Sequence, residues 1–338
     1  MVYKQKLIIL SAVSGALALI YAAALIFSPD RVSARNSFYV WLDPKWVDRV
    51  DEIKIQGDAV DSADNSGITL IRRNNAWFAE YADREFPAKE ARIEDLLGLL
   101  STKALWPLQG SSTASHERFG LTEFGGDRII LRGGPVGPPL LDLLIGDTDT
   151  TGRNVYLRKR GQNEVRSGDG GIVSYLGFSR TSWYNLHLFQ DYQDLRTNMV
   201  QRVTVIAPTA GRPLVFTRNG EGWIVEGIPQ DTLDVSKVEP WIRAILDAEA
   251  DDFVLTEVSL TDANLTDGRI VLELGDGSSR SIRLGPELPR LQEPKAENAL
   301  PLRSAAVSSK QVPGSQYGYA LSSWTVTRLF RDAAYFKN

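Results

Sequence analysis

Hydrophobic and polar positions follow one pattern that occurs twice along the chain. In the first half, two short segments rich in β-branched and aromatic residues, Ile68 to Arg72 and Trp77 to Glu80, flank a polar break at Arg73 to Ala76. Two such segments around a short polar break predict a β-hairpin. A helix is predicted after Pro87, because apolar residues recur there at i, i+3, i+4 and i+7. These residues are Ile93, Leu96, Leu97 and Leu100.

The second half repeats this order. Leu214 to Arg218 and Trp223 to Glu226 flank Asn219-Gly220, a dipeptide typical of tight hairpin turns. A second apolar stripe with the spacing of the first follows the hairpin. Its residues are Val238, Trp241, Ile242 and Ile245. The chain is therefore predicted to contain one structural unit in two copies.

Further segments match in the same order and extend the predicted duplication. Strand segments match as Ile53-Lys-Ile55 with Val203-Thr-Val205, Arg128 to Leu131 with Arg269 to Leu272, and Leu143 to Gly146 with Ile282 to Gly285. Near the two ends, Ser182-Trp183 matches Ser323-Trp324, and Leu188-Phe189 matches Leu329-Phe330. Residues 172 to 189 are predicted to form a second helical stretch of the first copy.

The predicted fold class is α+β, with two tandem copies of a mainly antiparallel sheet that is covered on one face by helices. The first repeat is assigned to residues 48–192 and the second to 193–338. Residues 1–27 are assigned to a basic tail with a transmembrane helix, and 28–47 to a juxtamembrane connector. A proline-rich segment, Pro286 to Gln316, is predicted to be an irregular insertion of the second copy, either a binding loop or a disordered one.

The stretch Leu7 to Phe27 carries no charged residue. As a helix it would be about 32 Å long, which matches a hydrocarbon core of about 30 Å. This length predicts a lipid bilayer as a partner through an uncleaved anchor. A cleaved signal peptide is the alternative, because Val32-Ser33-Ala34 resembles a small-residue cleavage site. A short basic tail inside and a large domain outside is the simplest insertion, and in a bacterium it would anchor the chain in the inner membrane with its bulk in the periplasm or outside the cell.

Composition excludes several classes of function. A net charge of −4 carries no nucleic-acid signature, so no nucleic acid is predicted as a partner. The absence of cysteine excludes disulfides, thiolate metal sites and a catalytic cysteine. The hydrophobic content of 43% is sufficient for a buried core in each repeat.

Motifs for catalysis, cofactors or metals are not found. The two histidines, His116 and His187, lie in no metal or catalytic motif, and no phosphate-binding glycine pattern is present. Asp147 to Gly152 resembles the start of a calcium loop, but Arg158 stands where the closing glutamate belongs. Turn formation by Asp149 is the favoured interpretation. No catalytic residue, cofactor or metal site is therefore predicted.

A few aromatic and basic residues are candidates for binding. Trp41 and Trp46, in the connector, are suited either to the lipid headgroup layer or to packing on the first repeat. Arg290 and Arg303 in the proline-rich segment complete the set of candidate interaction residues. The hairpin residues Trp77 and Trp223, and likewise Arg72 and Arg218, are interpreted as packing and solvating positions rather than ligand contacts.

The anchor, the Ile-x-Leu-x-Arg strand at Ile68 to Arg72, Trp77, the apolar helix and Phe119-Gly120-Leu121 together resemble a bacterial family of unknown function, domain 4340. The resemblance covers residues 48 to 337. It implies a membrane-anchored auxiliary component that acts with ABC-type transport systems, including those linked to gliding motility. The second copy departs from the motif, because Asp262-Ala-Asn-Leu265 stands where Phe-Gly-Leu is expected.

The leading hypothesis is a non-enzymatic, membrane-anchored extracytoplasmic protein that interacts with ABC-type transporter subunits or with a motility assembly. Two alternatives remain. One is a tethered hydrolase of envelope polysaccharide, which needs two carboxyl groups about 5 to 10 Å apart. The other is a ligand-binding module.

Overall fold

The structure is a computed structural model, and it describes residues 13–24, 37–57, 67–123, 126–134, 136–176, 180–208, 212–220, 222–255, 264–288, 301–309 and 317–338. The chain divides into two compact units, Met1–Tyr184 and Asn185–Asn338. Each unit is built around one antiparallel sheet with a few helices. This confirms the α+β prediction at the level of fold class.

The first unit contains strands β1 to β11. Their bounds are β1 Phe38–Tyr39, β2 Glu52–Gln56, β3 Ile68–Arg73, β4 Ala76–Tyr81, β5 Arg84–Pro87, β6 Ala104–Leu105, β7 Leu108–Gly110, β8 Asp127–Arg132, β9 Leu141–Thr148, β10 Asn154–Lys159 and β11 Val165–Asp169. Nine of them form a sheet in the order β5-β4-β3-β2-β8-β9-β10-β11-β7, and β1 pairs with β6 in a separate ribbon.

The second unit contains an eight-stranded sheet in the order β14-β13-β12-β16-β17-β18-β19-β15. Its strands are β12 Val200–Ile206, β13 Leu214–Asn219, β14 Gly222–Val225, β15 Asp252–Phe253, β16 Gly268–Leu274, β17 Ser279–Glu287, β18 Leu302–Ser309 and β19 Gly318–Ser322.

The helices are short. Besides a helical segment at residues 13–24, the α-helices are α1 Glu90–Ser101, α2 Ala114–Arg118, α3 Val238–Leu246 and α4 Ser323–Leu329. The 3-10 turns are Pro44–Arg49, Gly170–Tyr175, Arg180–Trp183, Thr197–Met199 and Val235–Lys237. Both predicted apolar stripes are confirmed. The buried residues are Ile93, Leu96, Leu97 and Leu100 in α1, and Val238, Trp241, Ile242 and Ile245 in α3.

The two sheets share one strand order. Without the edge strand β5, the first sheet reads β4-β3-β2-β8-β9-β10-β11-β7, and the second has its strands in the corresponding order. The registers agree with the sequence matches, because Ile53 pairs with Leu131 and the matching Val203 pairs with Leu272. The predicted duplication is consistent with this shared topology.

The matches near the two ends are wrong. Trp183 accepts a hydrogen bond through its carbonyl from the backbone N–H of Lys89, just before α1, at 2.8 Å. In the second unit the same position is held by Phe336, whose carbonyl accepts from Asp234 at 2.8 Å. Trp183 therefore corresponds to Phe336, and not to Trp324. The long insertion before β19 changes the offset between equivalent residues of the two units. Similar apolar residues near both ends therefore produced a misleading match.

Residues 185–192, placed by the sequence analysis in the first repeat, lie in the second compact unit. The backbone N–H of Leu188 donates to the carbonyl of Ala248 at 2.8 Å, and Asp191 forms an ion pair with Arg280 on β17. The corresponding segment of the first unit contains β1, in the region assigned to the connector. The N–H of Trp41 there donates to Leu100 at 3.1 Å.

Two further expectations need correction. The described residues of the predicted helical stretch at 172–189 contain the 3-10 turns Gly170–Tyr175 and Arg180–Trp183 and no α-helix, and Gly170 and Gly171 before Ile172 disfavour one. The proline-rich segment is not irregular throughout, because β18 occupies Leu302–Ser309 in the interior of the sheet. Pairing on both sides accounts for that strand, because β18 lies between β17 and β19, and Ser304, Ala305 and Val307 are buried there.

The predicted membrane span Leu7 to Phe27 falls only partly within the described residues. Residues 13–24 are helical and exposed, and the rest of the predicted span lies outside the described residues. None of the helices in the described part of the chain is both long and apolar enough to cross a membrane.

Candidate functional site

The N-terminal arm of the first unit contains Trp41 and Trp46, two of the predicted interaction residues. Trp41 is 2% exposed. Its ring lies edge-on to Tyr39 at 4.9 Å and to Trp106 at 5.5 Å between centroids. Trp46, in the 3-10 turn Pro44–Arg49, is half-buried. Of the two tryptophans, only Trp46 retains appreciable surface for a partner.

Two cations lie against the Trp46 ring, Arg49 at 4.8 Å and Lys45 at 5.5 Å from the centroid. Lys45 also pairs with Asp43 at 2.7 Å. The hydrogen bond from the Lys45 side chain lowers the pKa of Asp43, so that carboxylate remains ionised at neutral pH. Trp46 therefore lies in a small basic and aromatic surface at the start of the first unit.

An apolar surface lies on the ribbon β1–β6. Phe38 and Leu105 are directly opposite each other in the register and are 54% and 58% exposed. Leu108 on β7 is also exposed, and the ammonium of Lys103 lies 6.0 Å from the Phe38 ring centroid. We call Phe38, Leu105, Leu108 and Lys103 the arm surface. Such a surface is suited to an apolar cover with a polar rim.

The second unit has no such exposure at the corresponding positions. There the backbone N–H of Ala250 donates to the carbonyl of Leu186 at 2.8 Å. The neighbouring β-bridge joins His187 and Glu249, and it corresponds to the pair Tyr39 and Ala104 of the first unit. Leu186 and Ala250 are both buried. The exposed pair Phe38 and Leu105 is thus a property of the first unit and not of the repeated scaffold.

A groove of about 720 Å³ adjoins the arm surface in the first unit. Its lining includes Leu105, Trp106, Tyr156, Asp149 and Asp169. Both carboxylates are engaged in local turns. Asp149 accepts from Thr151 at 2.7 Å and from the Asn154 side chain at 2.8 Å, and Asp169 accepts from the N–H of Gly171 at 2.9 Å. Turn formation at Asp149 thus agrees with the interpretation favoured from the sequence.

The second unit contains a cavity of about 360 Å³, which we call the C-terminal cavity. It lies among the end of β17, the start of β18, helix α4 and the turn that follows α4. Its lining residues are Pro208, Glu287, Pro301, Arg303, Ser323, Val326, Thr327, Phe330, Arg331, Asp332 and Tyr335. The predicted candidate Arg303 is one of them, whereas Arg290 lies outside the described residues.

Arg303 is held by neighbouring groups. Its guanidinium donates to the carboxylate of Asp267, and its Nε donates to the carbonyl of Gly285 at 3.3 Å. The register places Arg303 opposite Glu287, so strand pairing fixes its position at the mouth of the cavity. Asp267 neutralises the charge of Arg303. Arg303 therefore stabilises the wall of the cavity and is not a free cation for a ligand.

Arg331 differs from Arg303 in having no carboxylate partner among the described residues. Its guanidinium stacks over the ring of Tyr335 at 4.3 Å, and its buried Nε has no hydrogen-bond partner. Tyr335 in turn packs edge-on against the buried Phe336 at 4.9 Å. The sequence gives no motif at Arg331; its only signal is the spacing Arg331-x-x-x-Tyr335, which places a cation near an aromatic ring on one turn.

Trp324 is a second residue that the sequence analysis missed. It is 62% exposed, and the guanidinium of Arg328 stacks on it at 4.8 Å. The two residues are four apart on α4, so they lie on the same face of that helix. Tryptophan and arginine are the residue types most enriched where proteins bind partners tightly. We call Trp324 and Arg328 the helix pair.

The repeated arginines and tryptophans have structural roles in both units. Arg72 donates to Asp51 at 3.0 Å and lies over the buried Trp77. Arg218 donates to Glu239 at 2.8 Å, and the indole of the buried Trp223 donates to the same carboxylate at 2.9 Å. Neither arginine is available as a free anion site, in agreement with the interpretation from the sequence.

The described carboxyl groups with shifted pKa values are all shifted downward. They are Asp43, Glu123, Asp149, Asp234, Glu239 and Asp276. At Glu239 burial raises the pKa, but hydrogen bonds from Trp223, Thr197 and Arg218 outweigh that effect. A carboxyl group that donates a proton in catalysis needs the opposite shift. These six residues are therefore suited to ion pairing and turn formation.

The histidines are also engaged locally. The imidazole of His116 lies 3.3 Å from the carbonyl of Asn163. His187 pairs with Glu249 at 3.0 Å and stacks on Tyr192 at 3.5 Å between centroids. Within the described ranges, no three histidine or acidic side chains are grouped in a way that could hold a metal ion.

Comparison with known proteins gives one match. The sequence profile of a domain of unknown function, DUF4340, matches residues 81–267, which is more than half of the chain. The chain belongs to this family. The match includes α1 and the hairpin of β13 and β14, and it ends just before β16. None of the curated proteins and none of the solved structures matches the chain. Membership of DUF4340 confirms the family resemblance and assigns no activity.

Proposed function

We propose that this DUF4340 protein is a non-enzymatic, single-pass protein of a bacterial inner membrane whose two sheet units lie outside the cytoplasm and bind a protein partner. The helix at residues 13–24 carries the proposal. All of its residues are exposed, and none is charged. An exposed apolar helix of this kind needs an apolar cover, and a bilayer provides one.

The arm surface supports the same proposal. Phe38 follows the exposed helix by 14 positions, and its ring and Leu105 are exposed next to Lys103. Aromatic and aliphatic groups beside a lysine are typical of the headgroup layer, where the ring lies among the lipid chains and the ammonium reaches the phosphates. The arm surface is therefore proposed to face the membrane.

We infer that the partner is a subunit of an ABC-type transport or motility assembly. The inference draws on the family context and on the helix pair, because an exposed tryptophan stacked on arginine is suited to the centre of a protein interface. Two sheets of the same topology give such a protein two related surfaces on one anchor, and sequence divergence lets each surface contact a different part of the assembly.

The hydrolase alternative receives less support. A retaining or inverting glycosidase needs one carboxyl group that is kept protonated by a raised pKa. In the groove beside the arm surface, the hydrogen bonds to Asn154 and Thr151 lower the pKa of Asp149. Asp169 caps a turn. A non-enzymatic role therefore accounts better for this groove.

Extraction of membranes with alkaline carbonate tests the anchor. We expect the full chain to remain in the membrane pellet, and the double variant Leu17→Arg with Ile20→Arg to shift predominantly to the soluble fraction. Each arginine at the centre of a membrane helix costs about 2.5 to 3.5 kcal/mol of insertion free energy. Protease digestion of spheroplasts should degrade both sheet units of the wild-type protein.

The control is Val136→Arg, which introduces one arginine at an exposed apolar position outside the helix. This variant should remain in the pellet. Release of the wild-type chain by carbonate would contradict the anchor, as would retention of the double variant to the same extent as the wild type.

A further inference from the structure

We propose that the C-terminal cavity binds a small ligand through a carboxylate group, with Arg331 as the residue that recognises it. The cavity is about 360 Å³ in volume, near the lower end of the range of about 300 to 1,000 Å³ seen for small-molecule sites. This site does not depend on the membrane anchor, because all of its lining residues belong to the second unit.

Arg331 differs from several other arginines of the same unit because no carboxylate among the described residues balances its charge. Arg218, Arg280 and Arg303 each donate to a carboxylate, Glu239, Asp191 and Asp267 respectively. Among the described residues Arg331 forms no ion pair with a carboxylate; its guanidinium stacks on the Tyr335 ring, and its Nε is buried without a hydrogen-bond partner. Stacking on one face leaves the terminal N–H groups of the guanidinium as donors, and two of them can bind one carboxylate.

The other walls define the class of ligand. Glu287 and Asp332 also line the cavity, and Asp332 accepts from the N–H of Tyr335 at 3.2 Å. Two carboxylates oppose a dianion such as a phosphate monoester, whereas a single carboxylate suits one free guanidinium. The same acidic groups can accept hydrogen bonds from an amine or amide on the ligand.

Apolar and hydroxyl groups complete the site. Pro208, Pro301, Val326 and Phe330 provide apolar contact, and the hydroxyl of Thr327 donates to the carbonyl of Ser323 at 2.8 Å, which leaves its lone pairs as acceptors. A short peptide with a free C-terminal carboxylate combines one anion, several N–H donors and small apolar side chains. We therefore infer that the ligand is a peptide C-terminus or a free amino acid.

Isothermal titration calorimetry of the full chain in detergent tests this proposal. The probes are the dipeptide and tripeptide of alanine with a free carboxylate, their C-terminal amides, free alanine and inorganic phosphate. We expect saturable binding of at least one carboxylate probe, and at least about tenfold weaker binding of its amide, because the charge-assisted pair is lost. Binding of free alanine alone would identify the amino acid as the source of the carboxylate, and binding of the peptides would identify a chain terminus.

Variants assign the effect to Arg331. Arg331→Gln should weaken binding at least about tenfold, and Arg331→Lys should have an intermediate effect, because a lysine keeps the charge and loses the bidentate geometry. The matched control Arg212→Gln changes an exposed arginine of the same unit outside the cavity and should leave the affinity within about twofold. Circular dichroism checks that each variant is folded.

The proposal is overturned if no carboxylate probe binds, if amides bind as tightly as acids, or if phosphate binds in preference to the carboxylates. Equal affinities of the wild type and Arg331→Gln would overturn the role of Arg331. A failure of membrane anchoring would leave these results unchanged, so the two proposals are tested separately.

Discussion

Replacement of Trp41 by alanine is expected to lower the free energy of unfolding of the first unit by about 3 to 5 kcal/mol, the usual cost of removing a buried tryptophan. Trp41 is almost fully buried and lies edge-on to Tyr39 and Trp106. Its backbone N–H also ties the arm to the end of α1. Urea denaturation followed by far-UV circular dichroism measures the change without dependence on tryptophan fluorescence.

Trp46→Ala is the matched control for this prediction. Trp46 is half-buried beneath two cations, so its removal should cost less than about 1 kcal/mol. If the two variants lost similar stability, the assignment of Trp41 to the core and of Trp46 to the surface would be wrong. A stable Trp41→Ala protein with weaker membrane or partner binding would instead favour a direct interaction by Trp41.

Asp191→Ala should destabilise the second unit by about 3 kcal/mol. Arg280 is buried and donates through Nε to Asp191 at 3.1 Å, with a further contact from its terminal nitrogen. Removing the carboxylate leaves a buried guanidinium without its counter-charge, which typically costs about 3 to 5 kcal/mol. Because Asp191 itself is partly solvated, the lower end of that range is expected. The measurement is the midpoint of urea denaturation at constant salt.

Asp194→Ala provides the comparison, because Asp194 is an exposed acidic residue three positions after Asp191. Its removal should change stability by less than about 0.5 kcal/mol. The pair of variants tests whether residues 185–192 are an integral part of the second unit. Equal and small effects of both substitutions would show that this segment does not contribute to that unit's stability.

The hairpins and the two long helices were predictable because their information is local. The strand-forming residues around Trp77 and Trp223 and the apolar stripes of α1 and α3 each lie within one short segment, so neighbouring residues specify the strand or the helix. The turns were also readable, since Asn74, Asn75 and Gly220 take the positive φ angles that tight hairpins require.

The corrected elements depend on information that is not local. Strand β18 follows a proline-rich stretch and contains mostly small residues, yet pairing with β17 and β19 on both sides makes it a strand. At Gly170–Tyr175, burial of Ile172 is achieved by a 3-10 turn, which periodicity alone does not distinguish from an α-helix.

Side-chain accessibility was the least predictable property. Trp41 and Trp324 both adjoin polar and apolar neighbours in the sequence, but tertiary packing buries the first and leaves the second on the surface of α4. The free guanidinium of Arg331 is also a consequence of the fold, because only the three-dimensional structure shows which arginines meet a carboxylate. The candidate surfaces therefore emerged from the structure, apart from Trp46 and Arg303.

Photo-crosslinking in native membranes tests the central claim, that this protein acts as a membrane-anchored partner of a transport assembly. A photoreactive amino acid is placed at position 324 on the helix pair and, as a control, at the exposed position 136, and crosslinked products are purified through a C-terminal tag and identified by mass spectrometry. We expect position 324 to crosslink to membrane or ATPase subunits of an ABC-type transporter, and position 136 to do so much less. Recovery of the protein alone from both positions would contradict it.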